Sequence, residues 1–493
     1  MPLTATDNGN TRNVVVYGKM FTTAHVFIHA LRRLLVRPGL GGYHFHCVFD
    51  DRRDAAYAAS FLPADRVTVH AQYRELDPFR KDLTWAPETV KRWERLYGHP
   101  HLRLYMDKER ILDGLPVEVK WRYLLSHIEY FENLIQVTKP VLYISGAAST
   151  IHPWVGMEVC RGNGVPCLSF YPTRFGTTSF LLDGPYEQLR IGTLYQALLA
   201  QGLDADEERA AQAVLDEYRQ NAVKPIDYLY VNAKRMRALP RPGRAIHAIR
   251  EYYGTDQQYY DEPLHVLLLR ALKARRTCFY DWFLRSKMVR TIDPERRFFF
   301  FPLQFEPEMS LVTQGRGWTD QLELVRLISQ SLPIDRWLYV KEHPNMPAGI
   351  RPLRFYRELT SLPRVQLLDR HINSYAIVPH AEAVLTITST AGWEALMFNR
   401  PVGLFGHAFY EEFDAGVVQV TNPEELPRIL LNFRRLTISD KTILAYIAAV
   451  LRQAKPGILI EPRFFPSAAE LVLSDENLDH IGQAILDKLE AYG

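Results

Sequence analysis

No run of about 18 apolar residues occurs anywhere in this chain, so no membrane-spanning helix is expected. Its first residues, Met1 to Asn13, are polar and lack the basic stretch and apolar core of a secretory leader, which points to a cytoplasmic protein. Cysteine is scarce: Cys47, Cys160, Cys167 and Cys278 form no Cys-x-x-Cys pair, and no histidine stands at zinc-finger spacing from them. Neither a disulfide framework nor a zinc site is suggested, and buried free thiols are expected. Neither sign of charge dominates. With Lys+Arg 59 against Asp+Glu 56 the net charge is +3, too balanced for a protein whose main partner is a nucleic-acid backbone. No Gly-x-Gly-x-x-Gly follows the first apolar run, which removes the dinucleotide fingerprint. Internal repeats and low-complexity tracts are absent too, which argues against a solenoid.

What is present reads as a folded α/β chain. Hydrophobic residues make up 47% and charged residues 23%, and 493 residues exceed one ordinary core, so two are expected. Short apolar runs at Val14–Gly18, Tyr43–Phe49, Val141–Ser145 and Val165–Tyr171 alternate with helical stretches, as in a parallel sheet covered on both faces. From about Ile191 to Val289 the apolar residues recur at helical spacing. Strand-like runs resume at Phe298–Leu303, Trp337–Lys341, Val365–Leu368, Ala383–Ile387 and Val402–Phe405, and Leu478–Tyr492 is an amphipathic helix. The expected domains are residues 1–190, a Rossmann-like unit on the acceptor side; 191–290, a helical linker or insertion; 291–455, a second Rossmann-like unit that binds the nucleotide-sugar; and 456–493, a tail with a helix.

Three segments carry candidate chemistry. In Thr386–Leu396 an apolar strand runs through Thr388, Ser389 and Thr390 into a helix containing Gly392 and Glu394. Such a junction offers unpaired N–H groups and a positive dipole end to a phosphate. Glu394 is expected on the first turn, where its carboxylate would accept both ribose hydroxyls, although Ser/Thr followed by Glu also suits a capping box. The second segment places Lys341, Glu342, His343 and Pro344 at a strand end, where open α/β sheets bind ligands. Pro344 restricts the backbone at His343. The third, after Phe298–Leu303, brings Gln304, Glu306 and Glu308 to the same rim if the sheet is parallel. The acidic stretch Phe49–Asp54 invites a metal or ribose reading, but Arg52 and Arg53 favour a solvated, charge-paired loop.

At these residues the chain resembles the capsule polysaccharide biosynthesis family, bacterial proteins that include retaining β-Kdo transferases. The resemblance lies in Phe301-Pro302-Leu303-Gln304, in Lys341-Glu342-His343-Pro344, and in Ser389–Leu396 with Asn399–Val402 and Gly406–Tyr410, in that order. It spans roughly residues 298–415; Trp393 and the helical middle region have no counterpart to lean on. It implies a GT-B fold of two Rossmann-like domains, a CMP-activated sugar acid as donor, and metal-independent transfer with no cofactor. It also implies His343 and Pro344 near the donor phosphate, with Ser389, Thr390, Gly392 and Glu394 on phosphate and ribose; Gln304 and Lys341 complete the nucleotide-sugar set. His343 is expected to stabilise or protonate the leaving phosphate. If transfer is retaining, a nucleophilic carboxylate is needed, and Asp183, in an exposed Gly-Pro turn, is the candidate.

The resulting expectation is a glycosyltransferase of capsular polysaccharide assembly that moves a Kdo-like sugar acid from CMP to a glycan or glycolipid acceptor. A UDP-sugar 2-epimerase-like enzyme and a non-catalytic nucleotide-sugar-binding component of a capsule assembly complex are the alternatives. Lys273–Arg290 mixes basic residues with Phe279, Tyr280, Trp282 and Phe283, which suits peripheral contact with the inner face of the cytoplasmic membrane.

Overall fold

The computed structural model describes residues 11–19, 23–72, 76, 87–98, 102–109, 112, 115–173, 175–185, 189–221, 284, 286–293, 295–344, 346, 351–460 and 469–492. Most of the basic, aromatic segment 273–290 and the helical pattern of 264–272 lie outside them. Contacts divide the chain into two compact units: the described residues of 1–187 with those from 454 onward, and those of 188–233 and 263–453.

The first unit is built on β1 (Arg12–Gly18), β2 (Tyr43–Phe49), β3 (Val67–Ala71), β4 (Leu142–Gly146), β5 (Cys167–Pro172) and β6 (Thr178–Leu182). Spatially these run β6-β5-β4-β1-β2-β3, with β1 to β5 parallel. Val14, Val15 and Val16 are at most 1% exposed, because a parallel sheet is covered on both faces and its central strand cannot alternate. β6 runs antiparallel to β5 through a tight return in which Gly176 adopts a positive φ of 46°. Expectation and structure differ at Phe49–Asp54: Asp50, Asp51 and Asp54 are 2%, 4% and 0% exposed, not solvated. Asp51 caps the helix Arg52–Phe61 by accepting from the N–H groups of Arg53 and Asp54, and the Tyr17 hydroxyl donates to Asp50 at 3.2 Å.

The second unit contains β7 (Phe298–Pro302), β8 (Trp337–Lys341), β9 (Val365–Leu368), β10 (Ala383–Thr386), β11 (Val402–Leu404) and β12 (Val417–Gln419), in the order β12-β11-β10-β7-β8-β9 and parallel throughout. β7 is central, and Phe298 to Phe301 are all at most 1% exposed. Phe299 and Phe301 join a core with Leu324, Ile328 and Leu385 on one face, while Phe298 packs edge-on against Tyr339 at 4.7 Å. Both sheets therefore start in the middle, grow outward on one side, then cross over and grow on the other. Each has a switch point: between β1 and β4 in the first unit, and between β7 and β10 in the second.

Two stretches change place relative to the expected domains. The helices Ile191–Gln201 and Ala205–Asn221 pack in the second unit, where Tyr195 meets Phe413 and Tyr446 edge-on and Arg219 bonds Asp440 and Asn399 at 2.7 Å. The chain's last strand, β13 (Lys455–Pro456), pairs with β6, and the helix Asp475–Tyr492 packs on Ala24–Leu34 with Arg33 clamped by Asp475 and Asp479. Among the described residues no helix is long and apolar enough to cross a membrane.

Buried imidazoles make the first unit acid-sensitive. His46 on β2 stacks on His70 of β3, and its Nδ1 lies 3.1 Å from His70 Nε2. Burial pushes His46 down to about 3, His127 down to about 4 and His152 well below the ordinary histidine range. Unfolded histidines titrate near about 6.5, so between that pH and the folded values the unfolded chain binds more protons than the native one. The stability these residues allow is whole above about pH 6.5 and is lost as the pH falls toward about 4. We predict that His46→Gln lowers the slope of stability against pH in that window by about one proton, measured by urea titration from about pH 4 to 8. An unchanged slope would show that His46 is already protonated in the fold.

Candidate functional site

The switch point of the second sheet is lined by the residues that follow β7 and β10. After β7 the chain is locked by a two-way amide pair: Gln304 N donates to Gln321 Oε1 at 2.7 Å, and Gln321 Nε2 donates back to Gln304 O at 3.1 Å. The Gln304 side chain, 8% exposed, then crosses the switch point and its Nε2 donates to Thr388 Oγ1 beyond β10. Its Oε1 is buried without a hydrogen-bond partner among the described residues. A buried polar end left unsatisfied at such a place is a position where a bound molecule or water completes the bonding.

Beneath this rim lies a buried ionic network. Arg351, 3% exposed, forms ion pairs with Glu306 and, at 3.1 Å, with Glu342, and also donates to Gln304 O. Glu342 is fully buried; besides Arg351 it takes the Tyr356 hydroxyl at 2.7 Å and the backbone N–H of His343 at 2.7 Å. One guanidinium thus ties the loop after β7 to the loop after β8. The motif divides accordingly: Lys341, at 4% exposure, and Glu342 are interior, while His343 and Pro344 are half-buried at the rim and Phe305 meets the His343 ring edge-on at 5.7 Å. Glu308 is half-buried on the same loop as Glu306.

Beyond β10, Ser389 is the N-cap of the helix Thr390–Met397, its Oγ accepting from Ala391 N at 3.2 Å. Thr388, Ser389 and Thr390 are half-buried at the rim. Two expectations change here. Glu394 stands on the second turn, not the first, is 4% exposed and takes no part in a capping box, since Gly392 occupies the third helical position. Gly392 is required by packing: a Cβ there would meet the Tyr410 hydroxyl at 2.3 Å, and that hydroxyl donates to Ser389 O at 2.5 Å. Trp393, 1% exposed, is core, packed among Phe409, Tyr410 and Tyr446.

Sequence reasoning counted Gly406–Tyr410 in the resemblance but gave its His407 no role in a cluster beside this turn. His407 follows β11; its Nδ1 lies 2.8 Å from Glu411 Oε2, and its Nε2 accepts from Arg316 Nε at 3.0 Å. A polar residue directly after a Gly at a parallel strand's end is the available signal, and Gly406-His407 carries it.

Asp183 is elsewhere. It follows β6, whose Leu182 pairs with Ser169 near the start of β5, so antiparallel pairing carries it to the edge of the first sheet opposite the carboxyl ends of β1 and β4. There Asp183 is 56% exposed and ion-paired with Lys488 of the C-terminal helix. The carboxyl edge of that sheet holds Lys19, whose Nζ donates to Ser149 Oγ at 3.2 Å, and Glu109, 4% exposed, which accepts from Ile151 N at 2.7 Å. Among the described residues no group of three or more His, Cys, Asp and Glu is arranged to hold a metal ion.

Two doubly wound units, one with a polar cluster at the switch point of an all-parallel sheet, define a GT-B-like α/β fold. Residues 257–425 match the family described as capsule polysaccharide biosynthesis protein, which bears out the resemblance carried by Gln304, His343 and Ser389–Glu394. The chain is similar to the capsule polysaccharide modification protein LipA of Neisseria meningitidis, 29% identical over 135 residues, which are 27% of this chain and 18% of LipA. It is also similar to the capsule polysaccharide export protein KpsS of Escherichia coli, 35% identical over 94 residues, which are 18% of this chain and 24% of KpsS. The chain thus spans less than a quarter of the length of these relatives. Among solved structures, the β-Kdo 2,7 transferase KpsC of Thermosulfurimonas dismutans aligns with 70% of this chain and 88% of its own, at 16% identity and a TM-score of 0.36.

The network predicts its own test. Arg351→Met should destabilise the protein by about 3–5 kcal/mol, because it strands the fully buried Glu342 carboxylate and takes the cation from the partly buried Glu306. Arg354→Met, three residues further on in the helix Leu353–Ser361 but 86% exposed and paired with Glu358, should cost far less. Thermal denaturation of the two variants side by side measures the difference, and equal costs would remove Arg351 from its structural role.

Proposed function

We propose that this chain is a glycosyltransferase of bacterial capsular polysaccharide assembly that moves a Kdo-like sugar acid from a CMP donor to a glycan or glycolipid acceptor. The observation that carries the reading is a coincidence of place: the family match over residues 257–425 contains the whole switch-point rim, from Gln304 through His343 to Ser389. Open α/β sheets bind nucleotides at that crevice, beyond the carboxyl ends of the strands. In this reading the helix that Ser389 caps presents its N-terminus to the donor phosphate, with Thr388 and Thr390 adding hydroxyls. Gln304 and Thr388 form the floor. Glu394 holds the ribose, and Lys341, inside the strand end, contributes charge from behind.

His343 is the leaving-group residue. Its backbone is fixed by Glu342 and the loop around Arg351, so its ring is held in place before the donor arrives. It supplies a proton or a hydrogen bond as the phosphate departs. Asp183 enters this proposal without a catalytic role, since it stands at the opposite edge of its own sheet and pairs with Lys488. Asp183→Asn is expected to retain transfer activity, and loss of transfer with intact donor binding would restore it as the nucleophile.

The reading is tested by a thermal-shift screen of CMP, UDP and GDP and their sugars, since a ligand bound only by the native state raises the melting temperature. CMP-Kdo or CMP is expected to give the largest shift, and Glu394→Ala to weaken that binding by about 1–3 kcal/mol. His343→Ala should lower kcat for transfer by about a hundredfold or more while changing donor affinity far less. Epimerisation of a UDP-sugar without any acceptor, or the absence of nucleotide binding, would overturn the assignment.

A further inference from the structure

Resting on the reading that this rim holds a nucleotide-sugar, we propose that Arg316 is the cation that grips the donor phosphate, and that His407 and Glu411 are positioning residues that aim it. The argument begins with three loops brought together beyond β10 and β11. Gly406 fits only without a side chain, because a Cβ would meet Gln314 O at 2.5 Å, Ile387 O at 2.8 Å and Thr388 Cγ2 at 3.0 Å. His407 N donates to Gln314 O at 2.7 Å. The loop bearing Arg316, the turn bearing His407 and the turn entering the Ser389-capped helix therefore touch one another, so Arg316 lies at the wall of the proposed phosphate site.

The backbone at Arg316 is unusual in a way that presents the side chain. Arg316 has a φ of +50° and Gly317 a φ of +89°, two left-handed residues in succession, while a Cβ on Gly315 would collide with Leu311 O at 2.1 Å. A bulky residue adopts that conformation only where its surroundings enforce it, and such residues gather at functional sites. The side chain is 31% exposed, whereas Arg351, another guanidinium of this rim, is consumed by Glu306 and Glu342.

The partners orient it. Glu411, 5% exposed at the side chain, lies 2.8 Å from His407 Nδ1, while Arg316 Nε donates to His407 Nε2 at 3.0 Å and Arg316 Nη2 stands 3.1 Å from Nδ1, so the imidazole is held between the carboxylate and the guanidinium. Glu411 also lies 3.7 Å from Arg316 Nη2, so one buried carboxylate fixes both the imidazole and the guanidinium. Nη1 makes no hydrogen bond among the described residues, so its N–H groups remain to donate to an oxyanion in a charge-assisted bond.

The experiment compares matched ligands on the full chain: CMP against cytidine by calorimetry, with Arg316→Gln, Arg316→Lys and His407→Gln. Arg316→Gln is expected to weaken CMP about tenfold or more and to leave cytidine unchanged, because only CMP carries the charge. Arg316→Lys, which keeps the charge but loses the planar guanidinium that His407 and Glu411 hold, and His407→Gln, which loosens the aim, should fall between that variant and the wild type. CMP binding unaltered in Arg316→Gln, or an equal loss for CMP and cytidine, overturns the phosphate role while the nucleotide reading stands. A wild-type chain that binds neither CMP nor UDP nor GDP overturns both.

Discussion

The second unit hangs on one buried guanidinium. Two carboxylates stand on neighbouring strand-end loops, Glu342 fully buried and Glu306 partly so, and the buried one is not tolerable there without a cation beside it. Arg351 supplies it and also satisfies the carbonyl of Gln304, so the loops after β7 and β8 cannot move independently. Their fixed relation sets where His343 stands, and the Gln304–Thr388 bond carries the constraint across to β10. Several kcal/mol of buried charge thus serve geometry more than stability, since an apolar trio of similar volume would hold the loops equally well but would not present a histidine and an amide at a rim.

Tyr43–Phe49, Trp337–Lys341 and Val365–Leu368 can be read at their true bounds, because each is a short, mostly apolar run set off by polar or turn residues. β3 is not legible in the same way: Val67-Thr68-Val69-His70 alternates, as a strand at a sheet's edge does, and a five-residue alternation is hard to distinguish from a loop. β6 is hidden for a different reason. The return at Gly176 makes it antiparallel, and no local feature of Phe180-Leu181-Leu182 states its direction. Without that direction Asp183 is assigned to the wrong edge, since a residue following a strand is at the ligand edge only if the strand is parallel to its neighbours.

The site divides in the same way. Motif positions are legible where residue type and strand end coincide, as at His343, Ser389 and Gln304. Burial within a motif is not: Lys341 and Glu342 sit in the interior, and Glu394 lies a turn deeper than its spacing suggests, because Ser389 rather than a later residue begins the helix. Arg316 is invisible in the sequence since its place depends on Gly406 and Gln314, about ninety residues apart, meeting at one point. Asp51 shows the converse case, an acidic run that looks solvated and is a buried helix cap.

The return of the chain to its first unit bears on how the protein is made. β6 gains its outer partner β13, and the helix Ala24–Leu34 gains the helix Asp475–Tyr492, only from residues made after the second unit. During synthesis the amino-terminal sheet therefore waits with an open edge and an uncovered helix face while the whole second unit emerges and closes. The unit begun first is completed only after the second has been made, and residues 455–456 and 475–492 act on it as a clasp.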